Sequence, residues 1–154
     1  MTIRQASAGD CHTIAQFNTA MALETEHVHL PPERILAGVE AVVRDRTKGV
    51  YYVAEVSGEV VGQLMLTYEW SDWRNGVFWW IQSVYVRADH RGSGVFRALY
   101  RHVETLARTT EGVCGLRLYV EAENGAAQDT YSRLGMTRTS YQLFETDFVI
   151  RRDP

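Results

Sequence analysis

The sequence predicts a mixed α/β fold built on a mostly antiparallel sheet. Strand-like and helix-like segments follow one another in the order β-α-α-β-β-β-α-β-α-β. One strand–helix–strand passage, Val77 to Val120, predicts a single parallel crossover, because parallel neighbours need a long connection. The 154 residues suit one domain, and neither a repeat nor a linker divides them, so we expect a single domain over residues 1–154.

The first third of the chain predicts a short strand and two amphipathic helices. Thr2–Gln5 is the strand, and Ser7 or Asp10 can cap the helix that follows. The segment His27–Pro32 ends this helix, and Pro32 suits the first turn of the next one. The apolar faces of the two helices comprise Ile14, Phe17 and Met21, and Ile35, Leu36, Val39, Val42 and Val43, respectively.

Three strands are predicted in the middle of the sequence. Tyr51–Val56 and Val60–Tyr68 are strand-like runs, and Ser57-Gly58-Glu59 between them is typical of a hairpin. A polar turn over Ser71–Gly76 then leads to the third run, Val77–Val86.

The last third alternates helices with strands. A loop over Arg87–Ser93 precedes a helix whose apolar face comprises Val95, Leu99, Val103 and Leu106. Leu116–Val120 is the next strand, and Asn124–Leu134 is a short helix that Gly135 ends. Tyr141–Ile150 is the last predicted strand.

Composition excludes several classes of protein. Apolar residues make up 45% of the chain, which argues against disorder, and the net charge of −3 argues against a nucleic-acid binder. No apolar run is long enough for a membrane span, and the first residues, MTIRQASAGD, do not read as a signal peptide. Cys11 and Cys114 match no metal or redox spacing, so we expect free thiols in a reducing compartment, the cytoplasm.

Aromatic residues are concentrated in one part of the chain. Eleven of the seventeen fall between Tyr51 and Tyr100. All four tryptophans are among them, namely Trp70, Trp73, Trp79 and Trp80. Indole faces hold cations or apolar groups, so the cluster could line a substrate pocket, but sheet core or a homodimer interface remains an alternative.

A glycine-bearing turn follows the strand Val77–Val86 and opens the next helix. Gly92 and Gly94 would let the backbone approach a ligand closely, and amides at a helix start bind anions. Residues 87–101 carry four arginines against one aspartate, a local charge of +3. The turn therefore predicts a phosphate site, with a solvated basic turn as the alternative. Neither a P-loop nor the dinucleotide fingerprint is present.

Residues Arg91-Gly92-Ser93-Gly94-Val95 after an apolar strand resemble the acyl-CoA-binding loop of the GNAT acetyltransferase superfamily, Arg/Gln-x-x-Gly-x-Gly/Ala. Arg91 and Gly94 match its first two fixed positions, and Phe96 departs from the third, where a small residue is usual. Leu118-Tyr119-Val120, followed by Asn124, Ala127, Tyr131 and Gly135, resembles the second CoA-contacting strand and helix of that family. The order of elements resembles the family over nearly the whole chain.

The resemblance implies a GNAT fold, with helices on both faces of the sheet and a parallel strand pair splayed around the CoA site. It implies acetyl-CoA as cosubstrate, without a metal. The pyrophosphate would lie on the loop amides, the pantetheine arm would pair with the strand end, and Asn124 would bond that arm. The implied acetyl-CoA-binding residues are Val84, Tyr85, Val86, Arg91, Gly92, Ser93, Gly94, Val95, Phe96, Asn124, Ala127 and Tyr131.

Acetyl transfer to an amine also needs an acid, a base and an oxyanion donor. The resemblance makes Tyr131 the acid that protonates the leaving thiolate, although periodicity alone would place this residue in a helix core. Backbone amides around Val84 suit the oxyanion. The candidate bases are Glu24 or Glu26, with Glu69 next, and each can equally be a solvated carboxylate. Other polar groups nearby are Asp72, Gln82 and Ser83. His27 and His29 lack a third metal ligand, and His90 could lie on the loop surface or touch a CoA phosphate.

The sequence thus predicts an acetyl-CoA-dependent N-acetyltransferase that acts on the primary amine of a small molecule in a ternary complex. A non-catalytic acyl-CoA-binding module and a protein N-terminal or lysine acetyltransferase remain alternatives. So does a generic phosphate-binding α/β domain. Family members share the donor and differ in the acceptor, so the acceptor is open.

Overall fold

Five strands form one sheet and four helices accompany it in the computed structural model, which describes residues 1–150. The strands are β1 (Thr2–Gln5), β2 (Val50–Val56), β3 (Glu59–Ser71), β4 (Gly76–Val86) and β5 (Val113–Arg117). The helices are α1 (Cys11–Glu26), α2 (Pro32–Arg44), α3 (Val95–Thr109) and α4 (Gly125–Arg133). The chain divides into two compact units, Met1–Tyr119 and Val120–Pro154.

The sheet of the first unit has the strand order β1-β2-β3-β4-β5. The pairs from β1 to β4 are antiparallel, whereas β4 and β5 are parallel with α3 between them in sequence. The predicted mixed sheet with one parallel crossover is therefore confirmed.

Helices cover both faces of this sheet. Strand alternation directs Tyr51 and Val53 of β2 to one face, where they join the core formed with α1 and α2. Tyr52 points to the opposite face, and its ring lies 5.2 Å from that of His102 on α3. The predicted apolar faces of α1 and α2 supply this core, with Ile14 and Val39 buried, and the face of α3 buries Leu99 against the opposite side of the sheet.

The strand predicted over Leu116–Val120 lies earlier, at Val113–Arg117. Gly115 makes the difference, because a Cβ there would come within 2.6 Å of the Phe78 ring on β4. The glycine is therefore part of the strand packing rather than a break before it. Pairing between β4 and β5 ends at Trp80 and Arg117, so the predicted strand residues 118–120 have no ladder partner within residues 1–150.

The last predicted strand, Tyr141–Ile150, is wrong, since residues 141–150 adopt no strand. The segment is rich in apolar and aromatic residues, but a strand also needs a neighbour for its backbone groups. Asp147 instead accepts hydrogen bonds from the amides of Val149 and Ile150, at 2.7 and 2.8 Å. The apolar side chains of this segment are largely exposed, namely Tyr141, Leu143, Phe144, Phe148 and Val149.

Asp10 ties the start of α1 to the edge of the sheet. Its carboxylate accepts bonds from both terminal nitrogens of Arg4 on β1, at 2.8 and 2.9 Å, and from the backbone and hydroxyl of Ser7, at 2.7 and 2.9 Å. Arg4 also bonds Glu55 of β2 at 2.9 Å. The hydrogen bond from Arg4 is the main reason that the pKa of Asp10 falls to about 2.

The lowered pKa of Asp10 predicts a pH-dependent contribution to stability. This contribution is complete above the pKa of an unfolded aspartate, about 3.9, and is lost as the pH falls toward 2. Asp10→Asn should lower the free energy of unfolding by about 2 kcal/mol at pH 7 and by about half as much at pH 3. Urea unfolding at the two pH values measures this.

Asp45→Asn is the control, because Asp45 also has a lowered pKa but is exposed and pairs with Lys48 on the surface. Its effect should weaken with added salt, whereas that of Asp10→Asn should persist. An equal loss for Asp10→Asn at pH 7 and pH 3 would contradict the linkage.

Candidate active site

The loop before α3 forms an open cradle of backbone. Gly92 and Gly94 have φ values of 74° and 86°, and no atom lies within 4 Å of a Cβ built at either position. Gly94 is the N-cap of α3 and supplies no side-chain cap. The amides of the first turn of α3 therefore lack intrahelical partners, and the helix dipole makes this end positive. This geometry suits a phosphate group.

Close packing at Gly62 places this cradle beside the end of β4. A Cβ on Gly62 would lie 2.7 Å from Val95 of α3 and 3.3 Å from the carbonyl oxygen of Tyr85 on β4. Only glycine lets the first turn of α3 lie this near the sheet. Gly62 is separated from the loop by more than twenty residues, so no local pattern in the sequence marks its role.

The four arginines of residues 87–101, the basic patch, differ in their partners. Arg87 pairs with Asp89 and Glu59, and Arg101 pairs with Glu104. Arg97 forms no ion pair within residues 1–150. It lines a cavity of about 380 Å³ together with Gly92, Ser93, Gly94, Ala98 and Arg101. Arg97 was missing from the predicted binding residues, although its place three residues after the N-cap directs it to the same helix end.

The predicted pantetheine strand, Val84 to Val86, lies where β4 has left β5. The last residue of β4 that pairs with β5 is Trp80, while β4 itself continues to Val86. The far side of β4 therefore offers a backbone edge after Trp80. On its other edge, the pairing of β4 with β3 is interrupted by a bulge, because Gln63 of β3 opposes Tyr85 while Met65 opposes Gln82. Ser83 within the bulge has a φ of 49°.

Glu24, a candidate base at the end of α1, meets the loop directly. It accepts hydrogen bonds from Arg91 at 2.7 Å and from the hydroxyl of Tyr85 at 3.1 Å. Arg91 also donates to the carbonyl of Val86 at 2.9 Å and lies over the Tyr85 ring. The bond from Arg91 lowers the pKa of Glu24, so this carboxylate stays ionised. Glu26, two residues later on α1, is exposed.

Glu69, the third candidate base, lies elsewhere along β4. Its backbone pairs with Phe78, seven residues before Tyr85, a separation of about 23 Å along the strand. Glu69 is held by Arg117 of β5 and by the indole of Trp80. The structure thus brings Glu24 to the loop and leaves Glu69 apart from it. Asp72, in the turn before β4, accepts a bond from the amide of Trp73 at 2.9 Å.

The tryptophans are not core residues. Trp70 and Trp73 are 62% and 84% exposed, and Trp70 pairs with Val77 near the start of β4, far from the loop. Trp79 and Trp80 are half-buried. Trp80 is three residues, about 10 Å, from Ser83, and its ring lies 5.8 Å from that of Tyr119.

The second unit contains the predicted acid and the predicted pantetheine contact. The side-chain oxygen of Asn124 accepts a bond from the amide of Ala127 at 3.1 Å and so caps α4. Burial raises the pKa of Tyr131, which keeps its phenol protonated at neutral pH. Gly135 ends the helix with a φ of 92°.

Residues 1–150 contain no group of three or more His, Cys, Asp or Glu side chains that could hold a metal ion. His27 ends α1 in the left-handed conformation, and His90 contacts Asp89 at 2.9 Å. No helix in this part of the chain combines the length and the apolar character needed to cross a bilayer.

Comparisons with known proteins agree with this architecture. The sequence model described as the acetyltransferase (GNAT) family matches residues 14–136. A crystal structure described as a possible acetyltransferase from Clostridium difficile 630 is 44% identical, with a TM-score of 0.88, and the alignment covers 97% of this chain and 98% of that one. A search of curated protein sequences finds no match.

Two more distant structures show the fold alone. A ribosomal-protein-alanine N-acetyltransferase from Brucella melitensis biovar Abortus 2308 is 19% identical, with a TM-score of 0.77 and coverage of 96% and 100%. AAC(6')-Iy in complex with a bisubstrate analogue, CoA-S-monomethyl-acetylneamine, is 17% identical, with a TM-score of 0.75 and coverage of 96% and 98%. Because the family model matches most of the sequence and a structure 44% identical spans nearly all of it, this chain belongs to the GNAT acetyltransferase family.

Proposed function

We propose that this chain is an acetyl-CoA-dependent N-acetyltransferase that acetylates the primary amine of a small molecule. The observation that carries the proposal is the open cradle at the start of α3, adjoining the backbone edge of β4. The cradle suits a pyrophosphate, and the strand edge suits the amide groups of a pantetheine arm. Two features fit acetyl-CoA. Gly92 and Gly94 leave room for a ligand, and Arg97 forms no ion pair within residues 1–150.

On the donor side, Arg97 and the amides from Gly92 to Phe96 would bind the phosphates. Arg91 would add its charge when it exchanges Glu24 for a phosphate. The strand segment Val84–Val86 would pair with the pantetheine arm. Asn124 would donate from its side-chain nitrogen, since its oxygen already caps α4.

For the reaction itself, we propose direct attack of the amine on the thioester carbonyl in a ternary complex. The amide of Val84 would stabilise the oxyanion, and Tyr131 would protonate the CoA thiolate as the C–S bond breaks. An amine with a pKa near 10.4 costs roughly 4–5 kcal/mol to deprotonate at pH 7, so a base or a water chain must assist. Glu24 is our first candidate, with Glu26 next. The lowered pKa of Glu24 also suits this carboxylate to attract the cationic amine.

The acceptor is proposed to be a small amine with an apolar portion. Trp80 and Tyr119 offer an aromatic wall about 10 Å from the bulge, and indole faces hold both apolar and cationic groups. Trp70 and Trp73 lie farther along β4, where their exposure suits contact with another molecule.

We also retain two expectations about cellular context. The cytoplasm is supported by Cys11 and Cys114, which are free thiols. A homodimer is supported by the exposed apolar side chains of residues 141–149, since contiguous apolar surface marks interfaces.

The experiment that tests the function is a thiol-release assay with acetyl-CoA over a panel of amines. The panel should include aromatic amines, polyamines, neamine, amino acids, and peptides with free N-termini or lysines. Release of CoA with a small amine supports the proposal, and exclusive activity on peptides would favour a protein acetyltransferase. Tight acetyl-CoA binding without turnover would favour a binding module. Equal binding of ATP and acetyl-CoA in calorimetry would indicate a generic phosphate site.

Arg97→Glu should weaken acetyl-CoA binding about tenfold or more, because it places a negative charge at the positive end of α3. Isothermal titration calorimetry measures the change. Arg108→Glu is the matched control on the same helix, where the arginine pairs with Glu104 and does not line the cavity. Similar affinities for the two variants would remove Arg97 from the donor site.

Tyr131→Phe should lower kcat about 100-fold, with a change in acetyl-CoA affinity of no more than about twofold, because only the acid is lost. Steady-state kinetics and calorimetry separate the two quantities. Tyr141→Phe, which alters an exposed tyrosine of the same unit, should leave kcat unchanged. A normal kcat for Tyr131→Phe would assign Tyr131 to packing alone.

A further inference from the structure

Gln63 of β3 is a polar residue with no exposed surface. Its side-chain nitrogen donates to the Asn18 side-chain oxygen at 2.7 Å and to the Ser83 carbonyl at 3.2 Å. Both partners are acceptors, so the amide nitrogen must face them. The oxygen Oε1 of Gln63 is then left buried with no hydrogen-bond partner within the described part of the chain.

Asn18 and Tyr51 extend this buried contact to two further elements. The side-chain nitrogen of Asn18 on α1 donates to the hydroxyl of Tyr51 on β2 at 3.1 Å. Asn18 and Tyr51 are only 9% and 4% exposed. Three elements therefore converge through side chains on one backbone carbonyl of β4, that of Ser83.

This arrangement is not what stability alone would favour. A buried acceptor without a partner costs free energy, which an apolar side chain at position 63 would avoid. Ser83 adds to the cost because it is a residue other than glycine at positive φ, within a bulge. Bulges are enriched next to active sites, where they redirect backbone groups.

The contact from Gln63 determines where the next amide points. The carbonyl of Ser83 and the N–H of Val84 belong to one planar trans peptide, so they point in opposite directions. Because the side chain of Gln63 holds the carbonyl, the Val84 N–H points away from that side chain and from its contact with Asn18. At Val84 the edge of β4 is no longer paired with β5, whose last paired residue is Arg117.

We propose that Gln63 is a positioning residue for acetyl transfer, which holds the Ser83 carbonyl so that the Val84 amide faces the thioester. Gln63 itself touches no reactant. Asn18 and Tyr51 hold Gln63 in place. The inference rests on the proposed function, because it assigns an oxyanion donor for that reaction.

The test compares Gln63→Met with the unmodified chain. Methionine has a similar length and volume but cannot donate a hydrogen bond. We expect kcat to fall about tenfold or more, while KM for acetyl-CoA changes less than about twofold, because the bulge amide acts on the transition state. A purely structural role would not separate kcat from KM in this way.

Val61→Ala is the matched control for lost stability. Val61 is fully buried two residues earlier on β3, and its side chain has no hydrogen-bonding group. This variant should be destabilised and yet keep its kcat once folded. If Gln63→Met and Val61→Ala show the same kcat, the proposal is overturned.

Tyr51→Phe provides an independent readout, which also decides the question if Gln63→Met does not fold. Loss of the hydroxyl loosens Asn18 and removes a side-chain contact with Ser83, but leaves the bond from Gln63 to the Ser83 carbonyl, so kcat should fall about two- to fivefold. An unchanged kcat in folded Tyr51→Phe, with Gln63→Met unfolded, would reject the positioning role.

Hydrogen exchange separates failure of this inference from failure of the proposed function. If the unmodified chain neither binds nor consumes acetyl-CoA, the proposed function is wrong. The Tyr85 amide, which lies opposite Gln63 in the β3–β4 ladder, should still exchange faster in the Gln63→Met and Tyr51→Phe variants than in Val61→Ala. Equal exchange in the three variants would show that this network does not hold the bulge.

Discussion

Strand β4 continues six residues beyond its last pairing with β5, and the candidate site depends on this divergence. A fully paired β4 would have both edges occupied, with no backbone available to a ligand. The divergence exposes a strand edge from Ile81 to Val86. Packing at Gly62 then brings the start of α3 to the same end of β4. An open edge and a positive helix end thus adjoin, and together they suit an elongated ligand with amide and phosphate groups.

Electrostatics near this end of β4 follow from pairing rather than from the number of charges. Most arginines of the basic patch are neutralised by a carboxylate, including Arg91, which Glu24 holds at 2.7 Å. Arg97 keeps its charge at the cavity. The contact between Arg91 and Glu24 also joins the end of α1 to the loop before α3. Under the proposed function, a phosphate of acetyl-CoA that draws Arg91 away would leave the Glu24 carboxylate unpaired by Arg91.

Local patterns in the sequence predicted most of the elements. The helix faces of α1, α2 and α3 follow from apolar spacing, and the hairpin between β2 and β3 follows from its turn residues. Two predictions about strands were wrong for the same reason. The strand predicted over Leu116–Val120 lies at Val113–Arg117, where Phe78 occupies the space beside Gly115, and Tyr141–Ile150 is rich in apolar residues but has no strand pairing. Strand formation depends on distant neighbours, which periodicity does not report.

The features of the candidate site also separate into those that local sequence reveals and those that depend on distant neighbours. The glycines of the loop, the arginine excess and the motifs around Asn124 and Tyr131 are local, so the sequence alone pointed to the family and to acetyl-CoA. Gly62, Gln63 and the free charge of Arg97 became visible only in three dimensions. Gly62 and Gln63 contact residues that are far away in the sequence, and the charge of Arg97 is free because no carboxylate of the described residues pairs with it. The sequence by itself therefore determined the class of chemistry, whereas tertiary packing decided which groups are free, which are paired, and where the backbone of β4 points.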